Sequence, residues 1–384
     1  MKTEKNVNKE VIVCHSFPAW DTPYVKSTIE LMTRLTATHR VVFIDYHYTW
    51  KDVFKHPSAP KKKLLGLKAK VRKEQTPFGE IEIVNLPPVL PMNWINKPGL
   101  FKGMAQLNGW WLRRFIKTLK RQLGINEFTL VNAFNPIYGL NTHKAWKATK
   151  SIYYCYDEIS GTQWSGKHGP KYEAQFAAKV DMVITTSSQL QKHKSQLNTN
   201  CHLVPNGVNL DVFKKPSIIS NKTKTLGYVG AVDDRIDFEL LQRITEALPD
   251  FTIEMYGPMK VLLPCLLVDR VRFHGAIPQE ALPSKISEMD ICLIPFVKNN
   301  LTASIYPLKI NEYLAMGKPV VSTDFADLSD FDKQIAIGDT HEKFITQIKK
   351  QVRYNSRLKA QQRIEFAKGN SWNERTSLLS SLIS

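Results

Sequence analysis

The sequence predicts an α/β protein of two doubly wound domains, and three observations carry that prediction. Short apolar or β-branched runs alternate with amphipathic segments, the alternation halts at a polar, proline-containing stretch beginning at Lys214, and it restarts beyond that stretch. Strands that are apolar almost continuously belong to a parallel sheet with helices on both faces. In the first half Val11–Cys14, Val41–Asp45, Ile81–Asn85, Phe128–Asn132, Ser151–Cys155, Met182–Thr186 and Cys201–Val204 are such runs and are expected to be strands. Thr28–Thr36, Gly103–Leu123, Tyr172–Ala178 and Ser188–Gln196 place apolar residues three and four apart, as helices do. Val204-Pro205-Asn206-Gly207-Val208 is a turn, and Lys214-Lys215-Pro216-Ser217 through Lys224 is polar enough to be a linker. Strands Thr225–Val229, Thr252–Tyr256, Val271–His274, Ile291–Pro295 and Pro319–Ser322 then interleave with helices Phe238–Ala247, Leu282–Glu288 and Pro307–Met316, before a helical tail from His341 to Ser384. Ligands of open α/β sheets bind at the carboxyl ends of the strands, so a cleft between the two domains is the expected site.

Composition narrows the class. A chain of 384 residues with 43% hydrophobic residues can bury a large core and divide into two domains. Its 53 Lys and Arg against 35 Asp and Glu favour a polyanionic partner, and the surplus is uneven: residues 51–121 hold 16 basic residues and four acids. Five scattered cysteines without a Cys-x-x-Cys pair argue against a disulfide framework or zinc site. The polar N-terminus and the lack of an apolar run near 20 residues lead us to expect a cytoplasmic protein whose membrane contact is peripheral.

The most informative segment runs from Ser304-Ile305-Tyr306-Pro307-Leu308-Lys309-Ile310-Asn311-Glu312 to Tyr313-Leu314-Ala315-Met316-Gly317-Lys318-Pro319-Val320-Val321-Ser322. Pro307 suits a first helical position and Gly317 a helix C′ position. The free amides and positive dipole end of that helix can hold a diphosphate. Lys309 and Glu312, three apart on one face, can neutralise phosphate and accept ribose hydroxyls. The plainer reading is a surface ion pair. Gly227-x-x-Gly230 lacks the third glycine of a dinucleotide fingerprint, which argues against a dehydrogenase.

This segment resembles the nucleotide-sugar-binding helix of the large retaining family of GT-B glycosyltransferases. The resemblance continues in Val204–Phe213 as the inter-domain crossing, in Leu226-Gly227-Tyr228-Val229-Gly230 as the first donor-domain strand, and in Phe273–Pro278 and Met289–Pro295 as the base-binding loop and following strand. Tyr154–Glu158 and Asp181–Ser187 are similar to first-domain segments of a branch acting in polysaccharide and teichuronic-acid-type synthesis. The resemblance implies two Rossmann-like domains facing a cleft: residues 1–205 for the acceptor, 206–368 for the donor, and 369–384, with Ser371-Trp372, as a helix returning to the first domain. It implies transfer of a sugar from a nucleoside-diphosphate sugar to a glycan or lipid-linked acceptor, with Glu312 on the ribose, Lys309, Arg235, Gly230, Tyr306 and Leu308 around the diphosphate, and Ile277 at the base.

The chain departs from the family's pattern in four places. Of two glutamates eight apart, Glu312 matches the second while Ser304 stands at the first; Ala231 and Asp237 replace an arginine and a lysine that hold the diphosphate; and Phe134 falls where a histidine is expected. Ser304, Asn135 and His15 are therefore the expected catalytic-face groups, although Asn135-Pro136 reads equally as a turn and His15 as a loop histidine. No Asp-x-Asp stands at a strand end, so no metal or other cofactor is expected. The losses leave open a degenerate scaffold without activity, and a sugar-nucleotide epimerase is a third possibility.

The basic segment contains Gly103–Leu123, whose Leu112, Phe115, Ile116, Leu119 and Leu123 follow helical spacing among Arg113, Arg114, Lys117, Lys120 and Arg121. It is either a core helix with a solvated edge or, with Lys61–Lys63, Lys68, Lys70, Arg72, Lys73, Trp94, Trp110 and Trp111, a peripheral contact with anionic membrane through residues 51–121. Nucleic acid is not expected, because no binding motif accompanies the charge.

Overall fold

The computed structural model describes residues 9–21, 26–55, 70–162, 165, 167–214, 224–262, 270–331 and 333–384. The chain divides into two compact units, Met1–Val204 with Thr376–Ser384, and Pro205–Arg375. The expected contributions of Lys61–Lys63 and Lys68 lie outside the described residues.

The first unit is built on an eight-stranded sheet in the order β3-β4-β2-β1-β5-β6-β7-β8. Its strands are β1 (Val11–Ser16), β2 (Arg40–Ile44), β3 (Lys70–Thr76), β4 (Gly79–Asn85), β5 (Thr129–Ala133), β6 (Lys150–Cys155), β7 (Met182–Thr185) and β8 (Cys201–Leu203). All pairings are parallel except β3 with β4, which run antiparallel over seven residue pairs. This hairpin corrects the expectation of a purely parallel sheet. A strand lying at a sheet edge needs no apolar face, so β3, with the sequence Lys-Val-Arg-Lys-Glu-Gln-Thr, has none to reveal it. The helices are α1 (Ser27–Leu35), α2 (Trp50–Lys55), α3 (Pro98–Leu123), α4 (Pro136–Trp146), α5 (Gly169–Ala177) and α6 (Ser188–Lys194).

Asn135-Pro136 is not merely a turn. Asn135 is the N-cap of α4 and Pro136 its first residue, where a missing N–H costs nothing. Helix α3 packs its Leu112, Ile116 and Leu119 against Val13, Val42, Ile44 and Val84 of the sheet. Its first turns, with Phe101 and Ala105, pack instead on Met92, Ile95 and Ile137, which follow the carboxyl ends of β4 and β5.

The second unit carries a six-stranded parallel sheet in the order β11-β10-β9-β12-β13-β14. Its strands are β9 (Thr225–Val229), β10 (Thr252–Tyr256), β11 (Val271–Phe273), β12 (Ile291–Ile294), β13 (Val320–Thr323) and β14 (Ala336–Gly338). Its helices are α7 (Phe238–Ala247), α8 (Leu282–Glu288), α9 (Leu308–Ala315), α10 (His341–Tyr354) and α11 (Arg357–Gly369), and α12 (Trp372–Ile383) closes the chain. The order reverses between β9 and β12 here and between β1 and β5 in the first unit, and such reversals are where doubly wound sheets bind ligands.

Candidate functional site

The second unit's reversal point collects most of the expected nucleotide-binding residues. Gly230 follows β9, and α9 follows the loop after β12, so these two segments meet beyond the carboxyl ends of neighbouring strands. Helix α9 begins one residue later than its sequence suggests, with Pro307 at the N-cap rather than at the first helical position. It ends as expected: Gly317 takes φ +71° and its N–H reaches the Leu314 carbonyl at 2.9 Å, while the Lys318 N–H reaches that of Tyr313 at 3.0 Å. This paired closure is a Schellman cap, open to glycine because the conformation is left-handed. The Val229 N–H donates to the Tyr313 hydroxyl at 2.7 Å, which ties the end of β9 to α9.

Gly230 is held by contact as well as conformation. At φ +147°, a Cβ there would lie 1.9 Å from Lys309 Cε and 2.7 Å from its Nζ. Lys309 thus runs directly over the backbone at the end of β9, its ammonium 6.0 Å from the Tyr228 ring centre. Burial pushes the Lys309 ammonium below the ordinary lysine range; Glu312 opposes this, the Arg235 guanidinium adds to it and Asp233 opposes it. A half-buried cation in that state gains from a bound anion, because a negative partner restores its charged form.

Arg235 belongs to the same cluster, but its guanidinium is gripped by Asp233 through Nε at 2.8 Å and Nη2 at 2.7 Å. Burial raises the Asp233 carboxyl, and the Arg235 contacts outweigh it to hold Asp233 below its usual range. Asp233 stands two residues before Arg235, and that spacing is the local signal for the pair. Glu312 is 6% exposed on the inner side of α9. Asp237, where the family carries a lysine, caps α7 by accepting from the Leu240 N–H at 2.9 Å and pairs with His341 Nε2 at 2.8 Å.

Ser304 closes a single turn of 3-10 helix, Thr302–Ser304, and is 1% exposed, its hydroxyl donating to the Asn300 carbonyl at 3.3 Å. Tyr306 is buried against Phe331, and its carbonyl accepts from Asn206 Nδ2 at 3.2 Å. Leu308 opens α9 and is half-buried. Ile277 packs on the second unit's core from the loop after β11. At the base of that loop His274 stacks on Tyr256, ring centres 4.4 Å apart at 10°.

His15 and Asn135 both fall at the first unit's reversal point. His15 is 1% exposed and its Nε2 lies 2.5 Å from Nε2 of His47. Asn132 bridges the two expected residues, its Nδ2 3.5 Å from His15 Nδ1 and 3.1 Å from the Asn135 carbonyl. A cavity of about 40 Å³ at this edge is lined by Asn135, His47, Tyr138, Tyr46 and Asn93, but not by His15. His15 is the penultimate residue of β1 rather than a loop histidine, and His47, three residues beyond the end of β2, is a partner that no local sequence pattern marks.

Burial lowers His15 from 6.5 to about 4, and it drives His47 well below its ordinary value, with the neighbouring His15 adding to the effect. The unfolded chain therefore takes up this proton before the folded one, and stability falls as pH drops from 6.5 towards 4. For His15 alone the loss reaches about 3 kcal/mol. Denaturation midpoints at pH 7 and pH 4.5 should differ less for His15→Gln than for the unmodified protein; equal differences would refute a buried neutral pair.

Residues 223–352 match the family Glycosyl transferases group 1. TuaH of Bacillus subtilis (strain 168), named for glycosyl transfer in teichuronic acid biosynthesis, is 25% identical over 222 residues. That match covers 52% of this chain and 56% of TuaH, little more than half the length of this curated relative. Among solved structures, sucrose-phosphate synthase from Thermosynechococcus elongatus superposes with a TM-score of 0.71 at 14% identity, over 97% of this chain and 98% of that one. HepE from Anabaena, in complex with UDP-glucose, gives 0.64 at 12% identity, over 97% and 98%. The chain has the GT-B fold.

Proposed function

We propose, from a glycosyl transferases group 1 domain on a GT-B fold, that this chain is a glycosyltransferase moving a sugar from a nucleoside-diphosphate sugar to a glycan or lipid-linked acceptor. The observation that carries the reading is Lys309 laid over Gly230 at the reversal point of the second sheet, beside Arg235 and Glu312. As the glycosidic bond breaks, charge rises on the diphosphate, and donors already in place lower the barrier. In this reading Lys309 and the first amides of α9 meet the diphosphate, with the turn from Ser304 through Tyr306 and Leu308 shaping their approach. Arg235, held by Asp233, supplies a fixed second cation. Glu312 accepts the ribose hydroxyls, Gly230 lets the ligand approach the backbone, and the loop at Ile277 meets the base.

Asn135 offers an amide at the first unit's strand ends, with His15 positioning it through Asn132. Lys309, Arg235 and the first amides of α9 would meet the diphosphate charge without a metal, and transfer would retain the configuration at the sugar carbon. The name of TuaH supports a place in cell-surface polysaccharide synthesis, and the basic residues of 51–121 support work at the inner face of the plasma membrane.

A degenerate scaffold is favoured by one observation, the capture of Arg235 by Asp233. Thermal unfolding with UDP and with GDP separates the two readings. Binding at about 100 times Kd stabilises by about 2.7 kcal/mol, so one of the two nucleotides should raise the transition, and Glu312→Ala should remove most of that rise. No shift with either nucleotide would sink the enzyme reading; a full shift in Glu312→Ala would sink the ribose assignment alone.

A further inference from the structure

The first unit holds a second pocket, of about 620 Å³, between α3, α4 and the start of α5. We propose that it receives the phosphate of an anionic membrane lipid while the outer ridge of α3 sits in the bilayer interface; this deepens the membrane part of the reading above. Three lysines line the pocket, Lys102 on α3, Lys167 on the loop just before α5 and Lys171 in the first turn of α5, and none of its lining residues is acidic. None of the three forms an ion pair among the described residues, so no carboxylate there competes with a phosphate. Gln106 adds an amide, and Asn141, whose Nδ2 donates to the Ile137 carbonyl at 2.7 Å, adds polar lining. The wall is rigid: His168 stacks on Phe101 at 4.2 Å, and its Nε2 lies 2.9 Å from the Ile95 carbonyl. Lys167, exposed, donates to Asn96 Oδ1 at 2.9 Å, a weak hold that a charged phosphate would replace.

The outer side of α3 fits a bilayer rather than a soluble phosphate ester. The helix has 26 residues, six of them Lys or Arg and none acidic. Helical spacing puts Leu100, Gly103, Leu107, Trp110 and Arg114 along one ridge, opposite the buried Phe101, Ala105, Leu112 and Ile116. Leu107 and Trp110 are each 47% exposed, Leu100 53%, and Trp94 on the preceding loop 70%. Large apolar side chains ringed by cations are the composition of an interfacial helix, in which indole rings lie at headgroup level and cations meet lipid phosphates. No helix among the described residues is long and apolar enough to cross a membrane, so this contact is made from the surface.

Co-sedimentation of the full chain with phosphatidylcholine vesicles, with and without about 30% phosphatidylglycerol, tests the proposal. The protein should bind the mixed vesicles and not the neutral ones. Lys102→Gln, Lys167→Gln and Lys171→Gln together should weaken binding at least tenfold. An equal charge removal at the exposed Lys349, Lys350 and Lys359 of α10 and α11 should cost no more than twofold. Leu107→Ser with Trp110→Ser should weaken binding to the same degree as the pocket variant. Equal losses from pocket and control variants would overturn the pocket assignment, and absence of any preference for the anionic vesicles would overturn the membrane contact itself. Stabilisation by millimolar glycerol 1-phosphate without vesicle binding would assign the pocket to a soluble phosphate ester and overturn the lipid. A melting curve of each variant without ligand shows that it is folded, and the nucleotide shift, which reports on the second unit, keeps failure of this proposal distinct from failure of the transferase reading.

Discussion

Gly230→Ala is expected to weaken UDP or GDP binding by about 10- to 100-fold while leaving the protein folded. The new Cβ would meet Lys309 Cε at 1.9 Å and Nζ at 2.7 Å. The far end of a lysine side chain can swing away, so the collision displaces the ammonium rather than the strand. Losing a charge-assisted hydrogen bond to phosphate costs about 1.5–3 kcal/mol, which is the stated range of affinity. The fold bears the strain of a left-handed alanine, about 1–3 kcal/mol, and a small displacement of the buried Tyr228 hydroxyl, which would lie 2.8 Å from the new Cβ. Gly257→Ala supplies the contrast, because its Cβ would lie 1.8 Å from the Gly230 carbonyl oxygen, at φ +152°. Backbone cannot swing aside, so that variant should lose stability first and binding as a consequence. Calorimetric titration with the nucleotide, beside a melting curve for each variant, checks the pair. Undiminished nucleotide affinity in Gly230→Ala would show that Lys309 does not touch the ligand.

Lys194→Met should destabilise the first unit by about 3–5 kcal/mol, the cost of leaving one partner of a buried ion pair uncompensated. Lys194 Nζ lies 2.7 Å from Glu173 Oε2, with the two side chains 6% and 3% exposed. The Tyr153 hydroxyl donates to the same carboxylate at 2.7 Å and Cys155 Sγ approaches it at 3.4 Å. Removing the ammonium leaves the Glu173 carboxylate uncompensated, with one phenol and one weak thiol donor among apolar neighbours such as Phe176. Lys194→Met with Glu173→Gln should recover much of the loss, because an amide is far cheaper to bury than a carboxylate. Denaturant midpoints of the single and double variants measure both effects, and a single-variant loss below about 1 kcal/mol would mean that water already reaches the pair.

The legible and illegible parts of this chain divide along physical lines. The strand Thr225–Val229 and helices Phe238–Ala247 and Leu282–Glu288 have the bounds their patterns suggest, because the apolar positions of each, down to Leu282 and Ile286 in the last, are those that pack on the core. Gly317 was legible because a left-handed cap restricts the residue types that can occupy it. By contrast β3 is polar and lies at an edge, and β14 has three residues, too few for any period. Helix α4 was hidden behind Asn135-Pro136, which signals a turn and a helix start alike.

At the site, residues of the right chemistry could be named from their sequence spacing, but their partners could not. That Lys309 crosses Gly230, 79 positions earlier, follows from the order of β9 and β12 in the sheet and not from any local pattern. The pairing of His15 with His47 likewise appears only when strand ends are brought together, whereas the capture of Arg235 by Asp233 is a local contact two residues apart.

The central claim is that the cluster around Lys309 and Glu312 holds a nucleoside diphosphate whose bond to a sugar is broken. Incubation of the full chain with a panel of UDP- and GDP-sugars, with release of the free nucleoside diphosphate as the readout, tests it most directly. Release from at least one donor is expected, abolished in Lys309→Ala. Release from none, by a protein that also fails to bind UDP or GDP, would contradict it.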